Sequence, residues 1–154
     1  MTIMTITEKK MNLFDIPLPY AYCHCISADI AMGKGIALQF RSMGVKQYIL
    51  DHHLQRPYTN NWMAETDGYC IATNINDRMI YNLVTKNRYY QKPTLSTLEN
   101  ALQDMKNQML RDGINQLAMP RIGCGLDKLK WINVAKILQD IFGDTEIEII
   151  VCAL

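Results

Sequence analysis

Apolar and polar positions along the chain repeat with two periods, and the switches between them mark out the elements. Residues 2–7 (TIMTIT) place β-branched and apolar residues at strand spacing and predict a first strand. Pro17 and Pro19 mark a connector, and residues 20–26 (YAYCHCI) predict a second strand. A loop with two glycines, 28–35 (ADIAMGKG), precedes a short predicted helix at 36–43, which Gly44 can stop. Val45, Tyr48, Ile49 and Leu50 fall at helical spacing, but a polar stretch from Arg56 to Asp67 leaves residues 45–67 without a clear reading. Residues 69–75 and 79–85 predict two strands, with turn chemistry at Asn76-Asp77 that suits a hairpin. Leu95, Leu98, Leu102, Met105 and Met109 give the clearest helix. Thr94 or Ser96 can cap it, Ser96 with Glu99 spells a capping box, and Gly113 ends it. Residues 116–119 (QLAM) predict a short buried strand. Trp131, Val134, Leu138 and Ile141 share one face of a helix over 129–142, with Gly143 as its C′ stop, and residues 146–152 predict a last strand.

The final elements alternate strand and helix, the order that gives parallel crossovers. The predicted architecture is α/β: helices on both faces of a mixed central sheet, with ligands gathered at the carboxyl ends of the strands. A length of 154 residues suits a single domain spanning 1–154, and no internal repeat or linker interrupts it.

Composition narrows the function classes. Sixteen Lys and Arg against fifteen Asp and Glu give a net charge of +1, which argues against a broad electrostatic grip on nucleic acid. A single anionic ligand needs only a local cradle. Five cysteines, an odd number lying mostly in apolar runs, suggest reduced thiols in a cytoplasmic protein. The N-terminus MTIMTITEKK does not read as a signal peptide, and no apolar run is long enough for a membrane span.

Two loops have the form strand, Gly-x-Gly, helix. They are Ala31-Met32-Gly33-Lys34-Gly35-Ile36-Ala37 and Pro120-Arg121-Ile122-Gly123-Cys124-Gly125-Leu126-Asp127. Glycine lets backbone amides approach a ligand, and a helix N-terminus offers unpaired N–H groups to an anion. Neither loop fits the dinucleotide fingerprint or the Walker pattern, and glycines also simply make tight turns. Lys86, just past strand 79–85, is either a solvated lysine or a nucleophile. Asp127 is either a general base or the cap of the helix after it. Cys23, His24 and Cys25 alternate across a strand and read as core rather than metal ligands. His52 and His53 read as surface. Cys124 reads as a liner of its loop, and Tyr89-Tyr90 either as a pair able to stack on a base or as a chance pair among eight tyrosines.

These segments together carry a resemblance. His24-Cys25-Ile26-Ser27, Met32 to Ala37, Tyr81 to Lys86, Lys92-Pro93-Thr94 and above all Met119-Pro120-Arg121-Ile122-Gly123-Cys124-Gly125-Leu126-Asp127, followed by Trp131, resemble the macro domain family. They are most similar to its terminal ADP-ribose protein glycohydrolase branch. The resemblance covers about residues 6–154, with 45–78 aligning poorly. It implies a three-layer α/β/α fold with a mixed central sheet and a cleft for ADP-ribose. Ser27 and the loop of Gly33, Gly35, Ile36 and Ala37 would follow the phosphates and distal ribose. The loop of Arg121, Ile122, Gly123, Cys124, Gly125 and Leu126 would wrap them from the other side, with Leu13 and Leu154 near the adenosine. Asn12 stands where many relatives have an aspartate facing adenine, and Lys34 where the branch often has a small residue. By the same resemblance Lys86 attacks the anomeric carbon and Asp127 acts as acid and base. The implied reaction removes ADP-ribose from acidic side chains of modified protein, or from nucleic acid. The alternatives are a non-catalytic ADP-ribose reader, and a hydrolase of O-acetyl-ADP-ribose or ADP-ribose 1″-phosphate. A monomer with no metal or cofactor is the expectation.

Overall fold

The computed structural model describes residues 5–56, 66–125 and 127–154. Its strands are β1 (Thr5–Lys10), β2 (Ala21–Ser27), β3 (Tyr69–Ile75), β4 (Arg78–Lys86), β5 (Gln116–Met119) and β6 (Glu148–Ala153). Its helices are α1 (Gly35–Ser42), α2 (Val45–Asp51), α3 (Leu95–Asp112) and α4 (Trp131–Phe142), with a 3-10 turn at Leu13–Asp15. The sheet order is β1-β6-β5-β2-β4-β3. Every neighbouring pair is parallel except β3 with β4, which is antiparallel. This is the mixed sheet expected, and the β3–β4 turn has Asn76 and Asp77 at φ 51° and 66°, the paired left-handed conformation of a tight hairpin.

The period of two along each strand sorts side chains into two cores. Cys23, Leu83, Leu117 and Ile149 face one side, where they pack with Leu98, Leu102, Met105 and Met109 of α3 and with Leu138 and Phe142 of α4. Tyr22, Ile80, Ala118 and Ile150 face the other, against Phe40 of α1, Val45 and Ile49 of α2, and Leu13 and Ile16. Helices on both faces bury the sheet twice, which is why β4 is buried from Ile80 through Thr85 rather than alternating.

Several boundaries differ from the sequence expectation. β1 runs on to Lys10, while residues 2–4 of that predicted strand lie outside the described residues. Residues 45–51, unclear in the sequence, are α2; Val45 and Ile49, one turn apart, carry its buried face. Part of the polar stretch 56–67 lies outside the described residues. The capping box of α3 is Thr94 with Thr97, not Ser96 with Glu99: each threonine hydroxyl accepts from the other's backbone N–H at 3.1 Å. Gly143 is not a left-handed stop, since its φ is −60°. A Cβ there would sit 2.5 Å from the Gln139 carbonyl oxygen, so close backbone approach is what requires glycine.

One polar group crosses the second core. His24, fully buried on β2, stacks on Phe40 with ring centroids 3.9 Å apart. Its Nε2 lies 2.6 Å from Asn82 Oδ1, an acceptor, so the ring is the neutral Nε2–H tautomer donating to that oxygen. Asn82 Nδ2 in turn donates to the Ile71 carbonyl at 2.9 Å. Burial lowers the His24 pKa from 6.5 to about 4, against the smaller raising effect of the Asn82 bond. Above 6.5 the folded and unfolded chains are both neutral at this site. As pH falls from 6.5 towards 4 only the unfolded chain takes up the proton, and stability falls by about 1.4 kcal/mol per unit from this group. Urea unfolding is therefore expected to give a chain about 2 kcal/mol less stable at pH 5 than at pH 7 through His24. His24→Gln should lack that component, and an unchanged pH slope in the variant would contradict the assignment.

Candidate active site

The two central strands set the position of the site. β2 continues through α1 and α2 on one face of the sheet, whereas its neighbour β5 continues through α4 on the other. Their outgoing loops diverge, and a crevice opens at the carboxyl ends of the strands where they part. A cleft of about 690 Å³ occupies that place, within the range of small-ligand sites. The loops after β2, β4 and β5 line it.

Asp29 organises the loop after β2. Its Oδ1 accepts from the Ser27 hydroxyl and from the Ala31 N–H at 3.1 Å, and its Oδ2 accepts from the Tyr89 N–H at 3.0 Å. The backbone adds Ala28 N–H to the Lys86 carbonyl at 2.8 Å and Asp29 N–H to the Asn87 carbonyl at 3.1 Å. The loops after β2 and β4 are thus tied together. Ile30 and Met32 sit at φ 56° and 48°, and their buried side chains hold that unfavourable backbone in place. The loop then enters α1, whose first position has no side-chain cap, leaving N–H groups at the cleft for an anion.

The loop after β5 folds on itself. Leu129 N–H donates to the Gly123 carbonyl at 2.7 Å, and Lys128 N–H to the Gly125 carbonyl at 3.2 Å. Gly123 has φ 74°, the left-handed conformation that favours glycine, while a Cβ there would meet only the movable Leu129 Cδ1 at 2.8 Å. Arg121 at its start is held by Glu8 of β1 at 3.0 Å, a half-exposed pair that orients more than it stabilises.

The end of β4 and the loop after β5 bring Lys86 and Asp127, 41 residues apart in sequence, into an ion pair with Nζ 2.7 Å from Oδ1. Their side chains are only 14% and 13% exposed and both line the cleft. Asp127 is not a helix cap: α4 begins at Trp131, behind Lys130. Cys25 lies on the cleft beneath the pair, and burial, then the Asp127 carboxylate, push its thiol up to about 12. Burial also raises Cys124. Neither supplies a thiolate nucleophile at neutral pH.

Of the residues singled out from sequence, Ser27, Gly33, Gly35, Ile36, Ala37, Lys86, Arg121, Ile122, Gly123, Gly125 and Asp127 line the one cleft. Cys124 does not; it packs against the α3–α4 core. Leu126 lies outside the described residues. Asn12, Leu13 and Leu154 lie off the cleft, at the end of the β1–β6 pair, where the Met11 N–H donates to the Ala153 carbonyl at 3.0 Å. There the Asn12 side-chain oxygen already accepts from the Phe14 N–H at 3.0 Å. Sequence reading missed Asp29. The signal was an acid at the entry of the loop, two residues before the Ala31 N–H that its side chain accepts from, the spacing of an Asx turn. Among the described residues no group of three or more His, Cys, Asp or Glu is placed to hold a metal.

Residues 23–138 match the macro domain family. ADP-ribose glycohydrolase OARD1 of Homo sapiens is 39% identical over 150 residues, 97% of this chain and 91% of that one. The bovine protein of the same name is 40% identical over the same shares. The fold is shared with the macrodomain of Thermus aquaticus DarG, at a TM-score of 0.75 and 20% identity over 98% of this chain and 99% of that one. The extent of the family match and these identities make one conclusion plain: the chain belongs to the macro domain family.

Proposed function

We propose that the protein is an ADP-ribosyl hydrolase that uses Lys86 as nucleophile and Asp127 as acid and base. The observation that carries this is the 2.7 Å Lys86–Asp127 pair inside the cleft, between the two glycine loops. A module that only reads ADP-ribose needs the loops but has no use for a mostly buried amine held against a carboxylate. The uncapped start of α1 and the amides of the Arg121–Gly125 segment hold the diphosphate, which fixes the distal ribose beside Lys86. Asp127 takes the proton of the lysine ammonium along their hydrogen bond. The freed amine attacks the anomeric carbon, the bond from that carbon to the acceptor breaks, and the acceptor departs with the electron pair and the proton that Asp127 had taken, which leaves Asp127 a carboxylate again. Asp127 then activates water, which adds at the same carbon and releases ADP-ribose and the amine. Asn12, Leu13 and Leu154, at the neighbouring sheet edge, are assigned to the adenosine end, where the Asn12 side chain contributes no charge.

The acceptor is a modified protein or nucleic acid, and the chain acts as one domain and as a monomer. The five cysteines are all free thiols, which suits the cytoplasm. No helix among the described residues is long and apolar enough to cross a membrane. The test is release of free ADP-ribose from ADP-ribosylated protein, ADP-ribosylated oligonucleotide and O-acetyl-ADP-ribose, followed side by side by chromatography. Release from either macromolecule is expected. Calorimetric binding of ADP-ribose without release from any substrate would overturn the hydrolase reading in favour of a reader.

A further inference from the structure

The pairing of β2 with β4 slips by one residue at its carboxyl end. Ile26 is in register with Val84 and Ser27 with Lys86, so Thr85 is left with no partner in β2. An extra residue of this kind breaks the alternation of a strand and re-aims the side chains beside it, and the residue that follows is Lys86. Thr85 itself is only 1% exposed, and its Oγ1 is one of two buried side-chain polar atoms among the described residues with no hydrogen-bond partner. Such an orphan costs stability, which calls for a reason to keep it.

The surroundings of that hydroxyl supply one. Thr85 lines a second pocket, of about 240 Å³, which adjoins the cleft: Lys86 and Lys92 line both. Every described residue lining it has a polar side chain. The neighbours of Thr85 are already engaged. Thr66 accepts from the Gly68 N–H, Asn87 from the Thr66 N–H and Gln91 from the Arg88 N–H, while Thr94 and Thr97 cap α3. A polar pocket of this size takes water, and water settles on buried polar groups that lack a partner. Lys92 and Thr94 are exposed at its mouth, so it can refill from solvent while ADP-ribose fills the cleft.

We propose that Thr85 is a positioning residue of the reaction, its hydroxyl holding in the pocket beside Lys86 the water that cleaves the Lys86 adduct. The assignment rests on the hydrolase reading above and deepens it. Asp127 takes a proton from that water, the water oxygen bonds to the anomeric carbon, and the bond from that carbon to Nζ breaks with its electron pair left on the amine. Asp127 then returns the proton to the amine, which restores the ion pair.

Thr85→Val tests this, because it removes the hydroxyl and keeps the shape of the side chain. Losing an unpartnered hydroxyl should leave the melting temperature unchanged or higher. With whichever of ADP-ribosylated protein or oligonucleotide the wild type turns over, kcat is expected to fall at least about tenfold. KM should fall with it, since kcat/KM reports the steps up to acceptor departure, which do not use the water. Intact mass spectrometry during turnover should show more of the variant than of the wild type carrying one ADP-ribosyl group. Thr85→Ser keeps the hydroxyl and should turn over like the wild type. An unchanged kcat in Thr85→Val overturns the assignment alone. So does a kcat/KM that falls as far as kcat with no added mass, which would make Thr85 a structural residue. A wild type that releases ADP-ribose from no substrate overturns the hydrolase reading as well.

Discussion

Lys86→Ala is expected to lower the single-turnover rate of ADP-ribose release by at least about 10³-fold while leaving ADP-ribose bound. The size follows from what the residue does. In the proposed reading the contacts to the diphosphate come from the two glycine loops, which line the cleft separately from the Lys86 side chain. The loss therefore falls on kcat, since the amine acts only once the substrate is seated. Lys86→Arg separates charge from nucleophilicity. Arginine keeps the ion pair with Asp127 but does not give up its proton, so it should be as inactive as alanine while restoring any thermal stability lost with the pair. Release at near wild-type rate from either variant would rule out the lysine as nucleophile. A melting curve on each variant separates chemistry from misfolding, because the pair is mostly buried and removing one partner strands the other.

The parts of this fold legible in the sequence are those written in short-range periodicity. α3 follows from Leu98, Leu102, Met105 and Met109, all buried on one face. β4 follows from the apolar run Met79 to Val84, interrupted only by Asn82, and the hairpin from Asn76-Asp77. Helix ends were less legible. Ser96 and Glu99 fit the capping pattern better than Thr94 and Thr97, and the backbone at Thr94, extended at φ −110°, decides against them. The same ambiguity hung over Asp127. As a residue just before a helix it reads as a cap, and it ceases to be one because the loop after Gly123 turns back on Leu129 and delays α4 to Trp131.

The site itself depends on long-range order that no local window contains. The resemblance to a family gave Lys86 and Asp127 roles, but their approach to 2.7 Å requires β4 and β5 to flank β2 with their carboxyl ends at one edge. The joining role of Asp29 was not legible for the same reason: beyond its local turn it ties the loop after β2 to Tyr89, 60 residues on. Tyr89 and Tyr90 could be named from sequence as a pair able to stack. Their exposure and their place on the cleft wall came only with the structure.

Asp127→Ala is expected to leave the first chemical step less affected than the second, and so to trap the enzyme on its own substrate. In the proposed mechanism the carboxylate accepts the lysine proton before attack, passes it to the departing acceptor and later activates the water that frees the amine. Without it the amine can still lose its proton to solvent, since Lys86 is 14% exposed. The water that must attack the adduct, by contrast, enters a cleft where no other carboxylate among the described residues is placed to activate it. Intact mass spectrometry after incubation with substrate should show Asp127→Ala heavier by one ADP-ribosyl group, and peptide mapping should place it on Lys86. Turnover should fall by at least about 10²-fold, the usual contribution of a positioned general base. The double variant lacking Lys86 as well should carry no added mass. An adduct on any other residue, or full turnover by Asp127→Ala, would show that the pair is structural, with the acid and base drawn from elsewhere in the cleft.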